Sequence, residues 1–176
     1  DLCDASGAVV ATGTAPAEAH TVLKLQVADP HLWNGRIDPY LYTAKATLLD
    51  GGDEMDEVTA TFGFRSFHVD SNQGFFLNGK SYPLHGVARH QDRLDMGWAI
   101  TPKEHAEDIA LIQEVGANTI RLAHYQHDQV FYDLCDQTGM VIWAEIPFIS
   151  RFNPSQAAHD NTISQMTELI AQNYNH

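Results

Sequence analysis

The chain has 176 residues, 44% of them apolar, which is enough to bury a core in one domain or two small ones. Its formal charge of -13 comes from 23 acidic and 10 basic residues. This excess of acid disfavours nucleic-acid and anionic-membrane partners, because binding phosphate groups needs a cationic face.

The N-terminal sequence DLCDASGAVV has neither a basic start followed by an apolar core nor an initiator methionine. It therefore does not predict a signal peptide, and we expect it to come from the middle of a longer chain. No apolar run is long enough to predict a transmembrane helix. The two cysteines, Cys3 and Cys135, are too far apart for a metal motif or a disulfide framework, and Cys135 is predicted to be a buried, unreactive thiol.

Residues 1–64 are predicted to form a partial, immunoglobulin-like β-sandwich. Such a sandwich needs about seven strands, whereas only four short runs with alternating or β-branched residues are present. These runs are Ala8–Thr12, Thr21–Val27, Tyr40–Leu49 and Glu57–Phe64. For Trp33, packing in a core or an interface is favoured over stacking on a sugar. The acidic run at residues 53–57 lacks the spacing of a calcium loop and is predicted to be a solvated hairpin loop.

Residues 65–176 begin with a predicted hairpin and continue as alternating strands and helices. Phe75–Leu77 precedes Asn78-Gly79, which is a strong type I′ turn signal, and Ser81–Leu84 is the expected return strand. Leu84–Ala88 is predicted to be the first strand of the alternating part.

Three helices are predicted in this second part. Thr101, Pro102 and Glu104 have the spacing of a capping box, and the first helix is expected to run to Val115 and end at Gly116. The second is predicted between Asp128 as its cap and Gly139. The third is predicted from about Asp160 to Asn173. The expected inward faces are Val130, Phe131, Leu134 and Cys135 in the second helix, and Ile163, Met166, Leu169 and Ile170 in the third.

Strands at Ala117–Ala123 and Met140–Trp143 flank the second helix. Right-handed crossovers would make the strands of these three β/α units parallel, and a complete (β/α)8 barrel has eight such units. The prediction is therefore a multidomain chain in which a partial β-sandwich precedes the first third of a TIM barrel. Polar residues at the carboxyl ends of the strands are the first candidates for chemistry.

The segment Gly116–Pro147 resembles the signature of glycoside hydrolase family 2, the family of β-galactosidases, β-glucuronidases and β-mannosidases. Six residues and the apolar run from Met140 stand at the spacing of the signature: Asn118, Arg121, His124, Tyr125, Asp136 and Gly139. Leu122 departs from the usual small residue, and Gln126 departs from the usual proline. The resemblance implies that both catalytic glutamates lie beyond His176, so none is assigned within this chain.

The resemblance implies substrate contacts for two histidines. His90 follows the first barrel strand and His124 the second, and both correspond to histidines that contact the cleaved sugar in β-galactosidases. Imidazole can donate to or accept from sugar hydroxyls, and such bonds help to stabilise an oxocarbenium-like transition state. The alternative is a structural histidine bonded to a backbone carbonyl.

Arg121 and Glu145 are the candidate charged residues of the site. Arg121 shares one strand face with Thr119 and is expected to orient a catalytic carboxylate from outside this chain or to keep it ionised, or else to form a structural salt bridge; either role needs a carboxylate partner. The resemblance makes Glu145 an auxiliary residue rather than the catalytic acid. Residues 146–150 contain no acid, so the Mg²⁺ site of some β-galactosidases is not predicted, and no other metal or cofactor is.

Six further residues receive weaker assignments. Asp92, Arg93 and Trp98 are expected to rim the pocket. Trp143 could stack on a sugar or pack in the core, with core packing at least equally favoured. His127 and Asp128 are predicted to belong to a solvated loop or a helix cap rather than to touch substrate.

The predicted function is part of a retaining glycoside hydrolase that cleaves terminal β-D-galactosides, and its partner is a carbohydrate substrate. One alternative is a β-glucuronidase of the same family, and another is a non-catalytic carbohydrate-binding or interaction module. The oligomeric state, including a homo-oligomer, stays open, and so does the compartment.

Overall fold

The structure is a computed structural model that describes residues 1–176. Its first sheet is antiparallel, with strand order β2-β1-β3-β4. The four strands are β1 (Leu2–Cys3), β2 (Val9–Ala11), β3 (Tyr42–Asp50) and β4 (Asp53–Phe62). The pair β3–β4 turns at Gly51-Gly52. The acidic run at residues 53–57 is exposed, as predicted, but it belongs to the strand β4 rather than to the hairpin loop, because its backbone pairs with β3.

The predicted strand at Thr21–Val27 is absent, although its alternation of side chains is clear in the sequence. No neighbouring strand pairs with this segment, and Val22 keeps 80% of its surface exposed. Alternation gives a segment two different faces, but a strand also needs a partner for its backbone groups. The prediction was therefore wrong because the sequence pattern does not report whether a partner strand is present.

A three-stranded antiparallel sheet follows, formed by β5 (Phe67–Asp70), β6 (Gly74–Leu77) and β7 (Lys80–Ser81). Asn78 and Gly79 both have positive φ, at 50° and 75°, as a type I′ turn requires. The hairpin prediction is confirmed, but the return strand is shorter than predicted and lies slightly earlier, because only Lys80 and Ser81 pair with β6.

The remaining strands form a parallel sheet with the order β10-β9-β8. They are β8 (Gly86–Arg89), β9 (Thr119–Leu122) and β10 (Val141–Ala144), and the helices are α1 (Pro102–Glu114), α2 (Gln129–Thr138) and α3 (Gln156–Asn173). The succession of parallel neighbours in chain order matches the predicted β/α units. None of the helices has the length and apolar character needed to cross a membrane.

Local sequence signals account for the ends of α1 and α2. The Glu104 carboxylate accepts a hydrogen bond from the Thr101 backbone N–H at 2.7 Å, as expected in a capping box. Gly116 follows α1 with a φ of 80°, and the Asp128 side chain accepts from the Val130 N–H at 2.9 Å. These three predictions are confirmed.

The core of the second part lies between the parallel sheet and the helices α1 and α2. Seven buried residues form it: Ile109, Ile120, Leu122, Phe131, Tyr132, Cys135 and Met140. The predicted apolar face of α2 is confirmed, because Phe131 and Cys135 have no exposed surface. Burial also raises the pKa of the Cys135 thiol far above its usual value, which keeps the thiol protonated and unreactive.

Helix α3 differs from the prediction in its packing. Its start lies four residues earlier than expected, at Gln156, and Ile163 and Ile170 are 57% and 54% exposed. No residue of α3 is buried. The inward face predicted for this helix is therefore wrong for this chain, since helical periodicity marks an apolar face but not the element that covers it.

The antiparallel and parallel parts meet around Trp33, which is buried. The Trp33 Nε1–H donates to the backbone carbonyl of Asp136 at 2.8 Å, and the Arg36 Nη1 donates to the carbonyl of Ala117 at 2.7 Å. A Cβ on Gly139 would lie 2.3 Å from the backbone of Gly35, so only glycine fits at this contact. The prediction that Trp33 packs in a core or interface is confirmed.

Candidate functional site

The carboxyl ends of the three parallel strands bring the candidate residues to one edge of the sheet. Arg89, Leu122 and Ala144, the last residues of β8, β9 and β10, stand in register. His90 follows β8 directly and Glu145 follows β10 directly, whereas His124 comes two residues after β9. In-register parallel strands therefore place all three side chains above the same edge.

Arg121 is at the centre of this cluster. Its Nε donates to Glu145 Oε1 at 2.6 Å and its Nη2 donates to Glu145 Oε2 at 3.1 Å, which is a bidentate ion pair. The salt bridge named as the alternative role of Arg121 is thus present within this chain. The hydrogen bonds from Arg121 lower the pKa of Glu145, so this carboxylate stays ionised and is unsuited to act as a general acid.

His124 joins the same pair through its Nδ1. The Arg121 Nη2 lies 3.0 Å from His124 Nδ1, and a guanidinium nitrogen can only donate. In a neutral ring Nδ1 therefore accepts and the proton is on Nε2, whereas Nδ1 of a protonated ring would donate to Glu145 Oε2, which lies 3.4 Å away.

His90 and His124 are neighbours across the site. Their ring centroids are 5.0 Å apart and the rings are nearly perpendicular, at 78°. His90 is exposed and His124 is half-buried, so both imidazoles can be reached from solvent. Two accessible rings beside an ion pair could together bind a small molecule rich in hydroxyl groups.

The loop after β8 places Trp98 next to this cluster. The Trp98 ring stacks on Tyr125 with a centroid distance of 4.6 Å, and Trp98 remains 65% exposed. The Tyr125 hydroxyl accepts from the backbone N–H of Gln91 at 3.0 Å, which holds the loop near the end of β9. Asp92 is exposed on this loop, but no hydrogen bond joins it to Arg121, Glu145 or His124.

Trp143 lies on the open face of the sheet. It pairs in register with Arg121, whereas its neighbour Ile142 packs against the core cluster. Trp143 is 67% exposed, so core packing was the wrong alternative for this chain. Successive strand residues face opposite sides, and the helices cover only the side that Ile142 faces.

His127 was also misjudged, because it is buried rather than solvated, with 3% of its surface exposed. It contacts Arg89, a buried charged residue that sequence reasoning did not single out. One signal was available: Arg89 stands two residues after Val87 and so faces the helices. A charged side chain on the helix-facing side of the strand needs buried polar or charged partners.

Two of the signature residues have structural contacts. The Asn118 side chain accepts from the His85 N–H at 2.7 Å and donates to the Pro83 carbonyl at 2.8 Å, which ties β9 to the segment before β8. The carboxylate of Asp136 lies 2.7 Å from His176 Nδ1. Neither side chain forms a hydrogen bond with Arg121, Glu145 or His124.

One group of potential metal ligands is present away from the strand ends. Donor atoms of Asp133, Asp136 and His176 lie within 4.8 Å of one another. The short contact between Asp136 and His176 is a charge-assisted hydrogen bond, which raises the pKa of His176 and satisfies both side chains. The group is therefore accounted for as an ion pair.

Two protein-family models together match almost the whole chain. Residues 3–65 match the family model "Glycosyl hydrolases family 2", and residues 68–175 match "Glycosyl hydrolases family 2, TIM barrel domain". A β-glucuronidase of Bacteroides fragilis is 47% identical over 161 residues, covering 88% of this chain and 23% of that protein.

Solved structures give the same result. An FMN-binding β-glucuronidase from Faecalibacterium prausnitzii L2-6 superposes with a TM-score of 0.93 at 47% identity, covering 99% of this chain and 27% of that one. A putative β-galactosidase from Bacteroides fragilis superposes with a TM-score of 0.89 at 39% identity, with the same coverage. The chain thus spans about a quarter of the length of these relatives.

Proposed function

Because this chain belongs to glycosyl hydrolase family 2, we propose that it builds one side of the active site of a retaining β-glycosidase. The observation that carries the proposal is the cluster of Arg121, Glu145 and His124 beside His90 at the carboxyl edge of a parallel sheet. In a retaining enzyme, two carboxyl groups about 5–5.5 Å apart serve as nucleophile and acid/base. We assign neither of them to this chain.

The two histidines are proposed to bind the sugar. A neutral His124 carries its proton on Nε2 and can donate it to a sugar hydroxyl, while His90 offers a second imidazole 5.0 Å away between ring centroids. Hydrogen bonds to hydroxyls that strengthen as the ring becomes cationic lower the barrier to cleavage. Trp98, stacked on Tyr125, would offer an aromatic face to the sugar or its leaving group.

Arg121 is proposed to keep a catalytic carboxylate of the site ionised. Its Nε and Nη2 are engaged by Glu145, and its Nη1 has no partner within the chain. We propose that Nη1 donates to one of the catalytic carboxylates and keeps it ionised. A carboxylate with such a partner is favoured as the nucleophile.

For the sugar, the leading candidate is a terminal β-D-galactoside. Within this chain each arginine near the site already has an acidic partner, because Arg121 is paired with Glu145 and Arg93 is paired with Glu107 and Asp108. A neutral sugar needs no unpaired cation.

The second candidate is a terminal β-D-glucuronide, and the observation in its favour is the 47% identity to a relative named β-glucuronidase. A glucuronide would need a cationic contact for its carboxylate, and that contact would have to come from residues outside this chain.

The test is the hydrolysis of p-nitrophenyl β-galactoside and β-glucuronide by the full-length protein, with H124A as the variant and H159A as the control. His159 is an exposed histidine on α3, outside the site. Loss of His124 should lower kcat/KM by at least about 100-fold, the usual effect of removing a transition-state contact. H159A should leave it unchanged.

Turnover of only one glycoside would decide the sugar. No turnover of either by folded protein would overturn both sugar candidates and favour another β-glycoside or the binding module. The 176-residue chain alone should hydrolyse neither substrate.

A further inference from the structure

Directly behind the proposed site, on the helix side of the sheet, lies a buried cluster around Arg89. The Arg89 side chain is 5% exposed and its guanidinium carbon stands 3.9 Å from the centroid of the Phe131 ring. Its Nε and Nη2 both donate to Asp108 Oδ2, at 2.9 and 2.7 Å. The ion pair thus joins the end of β8 to the middle of α1.

Two histidines complete the contacts of this guanidinium. The Arg89 Nη2 lies 2.9 Å from His105 Nδ1, and its Nη1 lies 3.1 Å from His127 Nδ1. A guanidinium has no lone pair to offer, so both Nδ1 atoms must accept and both rings must be neutral with their protons on Nε2. The contacts therefore select one tautomer for each ring.

The tautomer of His127 has a consequence for the site residue His124. With its proton on Nε2, His127 donates to the carbonyl of Ala123, at 3.2 Å. The N–H of Ala123 donates in turn to the carbonyl of Arg89, at 2.9 Å. Both backbone groups of the residue before His124 are therefore held by the cluster, and the residue before His90 is Arg89 itself.

The cluster also reaches the loop that carries Trp98. Asp108 uses its second oxygen, Oδ1, to accept from Arg93 Nη2 at 2.7 Å, and Arg93 Nη1 donates to Glu107 at 2.6 Å. Burial opposes the ionisation of Asp108, but the hydrogen bonds from Arg93 and Arg89 outweigh it and lower the pKa of this carboxyl. One ionised carboxylate thus fixes both the strand end and the loop.

We propose that Arg89, Asp108, His105 and His127 are positioning residues, which fix His90 and His124 by holding the backbone immediately before each of them. This inference rests on the proposed function in so far as the two histidines bind substrate. The four residues themselves touch neither substrate nor the reacting atoms. Misplacement of a binding group by about 1 Å can cost about 100-fold in rate, so the expected effect is on catalysis as well as on stability.

Two substitutions of His127 separate its two hydrogen bonds. H127N keeps an oxygen near the position of Nδ1, which can accept from Arg89, but it has no atom that reaches the Ala123 carbonyl. H127Q has an amide N–H near the position of Nε2, which can still donate to Ala123, but it loses the acceptor for Arg89. H159N, on the exposed face of α3, is the matched control.

The first readout is hydrogen exchange of the full-length protein, measured by mass spectrometry on peptides. In H127N, amides of residues 120–128 should exchange at least about tenfold faster than in the wild type, while those of α3 stay unchanged. H127Q and H159N should match the wild type in both peptides. Unchanged exchange at 120–128 in H127N, or equal acceleration in H127N and H127Q, would overturn the proposal.

The second readout is turnover per folded enzyme on whichever glycoside the wild type cleaves. H127N should lower kcat about 10- to 100-fold with KM changed less than about threefold, and H127Q should stay within about threefold of the wild type. A purely structural role would lower the folded fraction and leave kcat per folded enzyme unchanged. If the wild type cleaves neither glycoside, both sugar candidates fail, and the exchange comparison alone supports or overturns the positioning role.

D108N is the second variant in case H127N does not fold. It keeps the shape of the side chain but removes the charge that holds the guanidinium. It should accelerate exchange in residues 87–91 and 120–128 while leaving α3 unchanged. Exchange that is unchanged in both segments would overturn the proposal.

Discussion

Two arginines on neighbouring strands of one sheet make the same kinds of contact in opposite surroundings. Arg89 and Arg121 each pair with a carboxylate and each donate to the Nδ1 of a histidine. The Arg89 side chain is 5% exposed on the helix side, whereas that of Arg121 is 45% exposed on the open side. The same chemistry therefore operates once in a protein core and once at a surface facing solvent.

The difference shows what burial does to an ion pair. In the core, an arginine that loses its carboxylate leaves an uncompensated charge, so Arg89 depends on its ion pair with Asp108. At the surface, water replaces a lost partner at little cost, so Arg121 is free to exchange contacts. We infer that Arg89 fixes the geometry of the proposed site and that Arg121 interacts with the groups that react there.

The largest expected effect is on stability when Arg89 is replaced. R89M removes the guanidinium and leaves Asp108 with one of its two cationic partners in a partly buried position. Removing one member of a buried ion pair costs about 3–5 kcal/mol in the free energy of unfolding. Urea unfolding of the full-length protein, followed by circular dichroism, measures this. A loss below about 1 kcal/mol would contradict the view that the two arginines differ through burial.

A smaller effect is expected from acid. Burial, together with the charge of Arg89, lowers the pKa of His127 to about 4 from an ordinary value of 6.5. Between these two values the unfolded chain binds more protons than the folded one, so this contribution is complete above pH 6.5 and is lost as the pH falls towards 4. The slope approaches about 1.4 kcal/mol per pH unit for one proton. The pKa of His105 is lowered by the same causes, so this histidine also lowers the stability of the fold as the pH falls.

Comparing the wild type with H127Q isolates the contribution of His127, because glutamine does not titrate. Urea midpoints measured from pH 4 to pH 8 should differ by a constant amount above pH 6.5, and the midpoint of the wild type should fall relative to that of H127Q as the pH falls from 6.5 towards 4. The His176–Asp136 pair acts in the opposite sense: the raised pKa of His176 stabilises the fold below its ordinary pKa of 6.5, and the contribution is lost as the pH rises through the folded value. The contribution of the His176–Asp136 pair is the same in both proteins, so it cancels when their urea midpoints are subtracted. Parallel curves for the two proteins would show that His127 is not held neutral.

The smallest effect on stability is expected for R121M. Its ion pair with Glu145 lies in solvent, where the pairing energy is small and salt screens it. The urea midpoint should therefore move by less than a quarter of the shift seen in R89M, and by still less in 1 M NaCl. A shift as large as that of R89M would remove the distinction between the two faces of the sheet.

Local signals in the sequence predicted a large part of the fold. The capping box at Thr101, the glycine after α1 and the turn at Asn78-Gly79 depend on neighbouring residues alone, and all three are confirmed. Predictions that needed a partner far along the chain were less secure. Both patterns are present in the sequence, since Thr21–Val27 alternates and α3 has an apolar face. However, no strand pairs with Thr21–Val27, and no element covers the apolar face of α3.

The sequence by itself determined which residues end the parallel strands. It therefore determined that His90, His124 and Glu145 would meet at one edge of the sheet, because parallel strands in register bring their carboxyl ends together. It also determined that Arg121 would need a carboxylate. Only the tertiary structure decided that Glu145 is that partner within this chain, and that His127 lies in the core against Arg89. The physical reason is that a charged side chain selects its partner by distance and burial in three dimensions, which spacing along the chain does not encode.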